Sequence, residues 1–203
     1  MYTLHYSPSS ASMVVHLMLI ELGVPHRLER VDTSQPRTAA YLALNPLGQV
    51  PTLVVDGRPL AETSALLMLL AERHPEAGLA PPPGDPRRGE YLQWMVLLSN
   101  QLMATFRFWF YPADLGLAEH TPQTRAALQA REHALDAHLA VRGPYLLGER
   151  PSVADLLLTM LMRWSRRMPR TALDWPALAR LAQLVRARPA WKTLYEREEL
   201  TEW

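Results

Sequence analysis

The chain has 203 residues, 48% of them hydrophobic, a formal net charge of +1 at pH 7 and no cysteine. That length and apolar content suit one large or two small globular domains; the near-zero charge gives no bulk case for binding nucleic acid or an acidic membrane, and the missing cysteine excludes disulfides, thiolate metal sites and a cysteine nucleophile. The first residues lack a basic segment followed by an apolar run and a cleavage site, and no charge-free stretch is long enough to span a bilayer, so a soluble cytoplasmic protein is expected.

Tyr2, Leu4 and Tyr6 alternate with Thr3 and His5, the period of a strand. Residues 7–12 break it with turn formers and N-cap candidates for a helix over 13–22, which Gly23 closes. Arg27 to Val31 is a second strand, parallel to the first. A short helix over 39–44 ends before Asn45-Pro46, residues 52–55 form a buried strand, and Asp56-Gly57 turns it into a short partner. A helix over 64–73 stops at His74-Pro75. Composition then breaks over 77–86, where Pro81, Pro82, Pro83 and Gly84 read as an extended linker between a domain of residues 1–76 and an all-helical domain of residues 87–203.

In the second domain, residues 87–111 read as one long helix stopped by Pro112. Thr121-Pro122 opens a helix to about Val141. Ser152 to Asp155 forms a capping box that starts an apolar helix to Met162, giving Asp155 a folding role. Asp174, Trp175 and Pro176 start another helix, which runs toward Arg188 before Pro189. The arginines at 163, 166, 167 and 170 read as a solvated helix end.

The stretch from Asn45 to Ser64 carries the chemistry. It holds a Val50-Pro51 step of the kind that adopts a cis bond, then the hairpin, then a helix start at Glu62-Thr63. The Val50 main chain can pair with an extended peptide as a neighbouring strand would. The helix N–H groups suit a carboxylate, and Glu62 suits an ammonium group. One short segment therefore fits a small zwitterionic peptide.

In that order these features resemble the glutathione S-transferase superfamily, whose thioredoxin-like domain carries a Val-Pro step, a hairpin and an acid-hydroxyl pair before its third helix. Residues 148–155 (GERPSVAD) resemble a second family feature, so the likeness covers nearly the whole chain. It implies an α/β thioredoxin-like N-terminal domain followed by an all-α C-terminal domain. It also implies glutathione as co-substrate, a small hydrophobic electrophile as second substrate, a homodimer, and no metal. By the same resemblance Val50, beside Pro51, pairs with the cysteinyl unit, Glu62 and Thr63 hold the γ-glutamyl group, and Gln49 joins them. Arg37 is a weaker candidate for the glycyl carboxylate.

Family members hold the glutathione sulfur as a thiolate in the loop after the first strand. Residues 5–16 look most like the bacterial beta-class pattern, in which a Tyr-Ser-Pro step precedes a cysteine, but Ala11 stands where that cysteine falls. The serine-type classes become the better comparison, and the candidate donors to sulfur are, in order, Ser10, Ser9, Ser12 and Tyr6. Serine clusters at such places also simply cap helices. Phe106, Arg107 and Trp109 on the long aromatic helix are the candidates for the second substrate, while Met103-Ala104 stand in place of the beta-class His-Lys pair. Two other readings fit the same scaffold: a glutathione-dependent isomerase or dehalogenase, and a non-catalytic binding or regulatory protein.

Overall fold

The computed structural model describes residues 1–203. The alternation at the start of the chain becomes strand β1 (Tyr2–Tyr6), which pairs in parallel with β2 (His26–Arg30) and antiparallel with β3 (Thr52–Val55). The Asp56-Gly57 turn adds β4 (Arg58–Leu60), giving the strand order β2-β1-β3-β4. Strand periodicity sends Leu4 and its partner Leu53 to one face, and both are completely buried. Helix α1 (Ser12–Glu21) and helix α3 (Thr63–Arg73) pack together and supply Met13, Leu17, Leu66, Leu67 and Leu70 to this core. The short α2 (Ala39–Leu44) is capped by the Thr38 hydroxyl, which accepts the Tyr41 N–H.

Helix α1 is buried all round from Ser12 to Leu19, more than a helix lying on one sheet needs. Its outer side is covered by a helix that the sequence reading lacks. Pro189 was expected only to stop a helix; it also occupies the first turn of α9 (Pro189–Arg197), where its missing N–H costs nothing. Trp191 and Leu194 of α9 are buried, and the Arg188 guanidinium donates to both carboxylate oxygens of Glu21 at 2.7 and 2.8 Å. As a result, residues 187–202 form one compact unit with residues 1–78, whereas the sequence reading gave them to the helical domain. Residues 79–186 form the other unit with Trp203.

The helical unit begins with α4 (Arg88–Leu97), runs through a π-helical segment over Leu98–Met103, and continues as α5 (Ala104–Phe110). The expected single long helix is thus one run with a widened middle. Helix α6 (Pro122–Arg142) starts at Thr121, whose hydroxyl accepts the Thr124 N–H. Helix α7 (Val153–Trp164) is buried from Val153 to Arg163 and is followed by α8 (Pro176–Arg186). Asp155 does what the capping box requires, accepting from the N–H and O–H of Ser152 and from the Leu146 N–H. Arg163 departs from its expected solvated position: it is 2% exposed, because α7 is enclosed to its end.

Glu132 on α6 is 4% exposed and accepts only a long bond, 3.2 Å, from the Trp175 indole N–H. Burial pushes its carboxyl up from 4.5 to about 7, against smaller downward pulls from Trp175 and Arg170. Because the folded state holds this proton more tightly than the unfolded chain, stability falls as pH rises from 4.5 towards 7. Glu132→Gln keeps the acceptor and removes the charge. It is expected to stabilise the fold by about 1 kcal/mol at pH 5 and about 3 kcal/mol at pH 8. Urea unfolding at the two pH values measures this, and an equal difference at both would contradict it.

Candidate functional site

The expected peptide site is assembled from local features of the sheet unit. The Val50–Pro51 bond is cis. Pro51 is buried and Val50 half-buried, and neither the N–H nor the C=O of Val50 is hydrogen-bonded within the chain. The loop is held from below: the Gln49 carbonyl accepts from the Tyr41 hydroxyl at 2.6 Å and from the Asn45 amide at 2.9 Å. Gln49 itself is exposed.

Glu62 is exposed and has φ +70° and ψ 104°, a left-handed conformation that costs a non-glycine residue about 1–3 kcal/mol. It hands the chain into α3, where the Leu66 N–H is the first to find a helical acceptor, the Glu62 carbonyl at 3.0 Å. The N–H groups of Thr63, Ser64 and Ala65 therefore form an open helix terminus. Ser64, which the sequence reading did not single out, places a buried hydroxyl there with no hydrogen-bond partner. Its signal was its position one residue after the acid-hydroxyl pair. Arg37 is otherwise engaged. Its guanidinium donates to the carbonyls of Gly48 at 2.8 Å, Asp32 at 2.9 Å and Thr33 at 3.1 Å, and to that of Gln35.

The serine loop after β1 is tightly bonded to itself. The Ser10 hydroxyl donates to the Ser7 carbonyl at 2.7 Å and accepts the Ser12 N–H at 3.2 Å, so it performs a capping task. Ser12 is fully buried, its oxygen accepting the Ser7 N–H at 3.1 Å and lying 2.8 Å from the Ser10 oxygen. Ser9 has φ +62° and donates its N–H to Glu198 Oε2 at 3.2 Å. Tyr6 packs its ring 5.9 Å from that of His16, and its hydroxyl makes no hydrogen bond within the chain.

The second-substrate candidates separate. Phe106 is 0% exposed, stacked on Phe110 and edge-on to Trp164, so it belongs to the core and offers no surface. Arg107 is exposed, but its charge is met by Asp114 at 2.6 Å and it lies over the Tyr111 ring. Trp109 is half-buried and stacked on His120 at 3.6 Å between ring centres. No three side chains of His, Cys, Asp or Glu are gathered as metal ligands, and no helix is long and apolar enough to cross a membrane.

Residues 8–73 match the family model for the glutathione S-transferase N-terminal domain, and residues 103–189 match that for the C-terminal domain. The chain is 30% identical to glutathione S-transferase GST-4.5 of Xanthomonas campestris over 169 residues, 81% of this chain and 82% of that protein. The chain belongs to the glutathione S-transferase family. It is also 30% identical to a maleylacetoacetate isomerase of Pseudomonas aeruginosa over 95% of this chain and 93% of that protein. Among solved structures, the ternary complex of BphK, a bacterial member of the family, is 34% identical with a TM-score of 0.89 and covers 98% of this chain and 100% of that one. A sphingomonad glutathione S-transferase complexed with glutathione is 29% identical with a TM-score of 0.84, again over 98% and 100%. The thioredoxin-like sheet followed by helices is the fold of this family.

The sequence reading missed one contact at the serine loop altogether. Glu198, just after α9, places Oε1 2.9 Å from His16 Nδ1 and Oε2 on the Ser9 N–H, and both side chains of the pair are 0% exposed. The C-terminal segment thereby holds the turn that leads into α1.

Proposed function

We propose that the protein is a glutathione transferase that holds glutathione along Val50 and at the start of α3, and attacks a small hydrophobic electrophile with the bound thiolate. The carrying observation is the combination of an unbonded Val50 main chain with an open α3 terminus behind the strained Glu62. In this reading Val50 pairs with the cysteinyl unit, the α3 N–H groups and Thr63 take the γ-glutamyl carboxylate, and Glu62 takes its ammonium. Gln49 lies at the edge of the same strand-like pairing. The family's glutathione-bound relatives support the peptide.

The hydroxyl must donate a hydrogen bond to the thiolate and keep its own proton, which lowers the thiol pKa from about 8.5. We assign Ser10 that role: its oxygen already accepts the Ser12 N–H, which polarises its O–H, and the sulfur replaces the Ser7 carbonyl as acceptor. Ser9 and Ser12 keep the turn in shape. Tyr6 is the alternative donor, because its hydroxyl has no other task. With Phe106 withdrawn to the core, Arg107 and Trp109 are the residues left to meet the electrophile. A homodimer and a cytoplasmic location complete the proposal.

The test is calorimetric titration with glutathione, followed by a thiol-conjugation assay. Glu62→Ala is expected to weaken glutathione binding about tenfold or more, the loss of a charge-assisted contact. Ser10→Ala is expected to lower kcat/KM about 100-fold, with glutathione affinity kept and the rate profile displaced to higher pH. If Tyr6→Phe shows that signature and Ser10→Ala does not, the donor is Tyr6; if glutathione does not bind at all, the transferase reading fails. The likeness to the isomerase over nearly the whole chain favours one second reading, glutathione-dependent isomerisation. It is recognised by turnover that consumes no glutathione.

A further inference from the structure

Strand periodicity puts a second row of side chains on the sheet face opposite Leu4. The register pairs His5 with Glu29 on β2 and with Thr52 on β3, so these three lie side by side. Helix α2 is only six residues long, and it covers the Thr52 end, where Tyr41 and Asn45 bond the Thr52 hydroxyl at 2.9 and 3.0 Å. The Glu29 end is left as a cleft of about 370 Å³ lined by His5, Glu29, Val31, Arg37, Tyr41 and Leu44. That volume lies within the range of small-molecule sites, roughly 300–1,000 Å³.

The charges around this cleft are mostly spent. Arg37 gives its donors to four carbonyls, as described above. The Asp32 carboxylate accepts both the N–H and the O–H of Ser34, and the Arg30 charge acts on it too. The Glu29 carboxylate and the His5 ring make no hydrogen bond within the chain. Partial burial holds His5 below its usual range, with only a smaller upward pull from Glu29. Arg30 also lines the cleft, with its charge offset by Asp32. What remains is the Glu29 carboxylate and the His5 imidazole beside an aromatic and aliphatic wall, an arrangement that suits a flat cation.

Two walls of the cleft reach the peptide site. Tyr41 donates its hydroxyl to the Gln49 carbonyl at 2.6 Å, and Arg37 donates Nε to the Gly48 carbonyl at 2.8 Å. These are the two residues that precede Val50.

We propose that this cleft is a second ligand site for a small aromatic amine or amidine, its cation on Glu29 and its ring against Tyr41 and Leu44, and that occupancy alters glutathione affinity through Tyr41 and Arg37. The coupling rests on the proposed peptide site, whereas the cleft does not.

Titration of the full chain with tryptamine, with and without saturating glutathione, tests both parts. Saturable one-to-one binding is expected, weakened about tenfold by Glu29→Gln and abolished by Leu44→Trp, which fills the cleft at a half-buried position. Tryptamine is expected to change glutathione affinity about threefold or more, with the same factor in the reverse titration. Absence of saturation, indifference to Glu29→Gln, or complete displacement of tryptamine by glutathione would overturn the site. Glu29-dependent binding of tryptamine by a protein that binds no glutathione would uphold the cleft and overturn the coupling.

Discussion

Replacing Asp155 by alanine lowers the unfolding free energy by about 3–4 kcal/mol, a fall in Tm of about 10 °C for a chain of this size. The carboxylate is fully buried and takes three donors: the Leu146 N–H at 2.8 Å, the Ser152 N–H at 2.7 Å and the Ser152 O–H at 2.8 Å. Alanine leaves two buried N–H groups without an acceptor, each costing about 1–3 kcal/mol, and removes the box that starts α7, worth about 1 kcal/mol. The vanished desolvation cost of the carboxylate offsets part of this. Burial raises that carboxyl to about 6 despite its donors, so the measurement belongs at pH 7.5 or above, where it is ionised. Because α7 is buried from Val153 to Arg163, the loss should reach the entire helical unit in one transition. A loss below about 1 kcal/mol would mean that backbone readjustment or water satisfies the freed amides.

Glu198→Ala is expected to cost about 2–4 kcal/mol and to loosen the turn before α1. The substitution strips the acceptor from His16 Nδ1 and from the Ser9 N–H, and both side chains of the pair are inaccessible to water. His16 has no second hydrogen bond to fall back on, since its Nε2 is buried without a partner. Glu198→Gln restores one acceptor and places an amide donor against the other partner, so about half the loss should remain. Amide hydrogen exchange separates this role from general destabilisation. Exchange at Ser9, Ser10 and Ser12 should rise in Glu198→Ala even where unfolding is not yet detectable, and unchanged exchange there would show that the segment does not hold the turn. If Ser10 is the sulfur donor, conjugation should fall with the same substitution while Glu62-dependent binding persists.

Much of the backbone geometry of the proposed peptide site was legible because its signals are local. A Val-Pro step, an Asp-Gly turn and an acid before a helix each act on the backbone within a few residues, so their order along the chain is also their order in space. Ser64 shows the limit of this, since only burial reveals that its hydroxyl has no partner. The aromatic helix misled for a different reason. Counting at 3.6 residues per turn fails across the π-helical segment over Leu98–Met103, and Phe106 consequently turns into the core while Arg107, Phe108 and Phe110 stay exposed.

By itself the sequence determined the sheet-then-helices order, the capping box at Ser152 and the stretch from Asn45 to Ser64. Each depends on turn chemistry, capping or periodicity that neighbouring residues settle among themselves. Only the tertiary structure decided that α9 returns to the sheet unit, that Glu198 meets His16 and Ser9, and that His5 and Glu29 border an open cleft. Those contacts join residues as much as 189 positions apart. Nothing local marks such partners, because the free energy that pairs them comes from burying α1 on both sides and exists only once the chain has closed on itself.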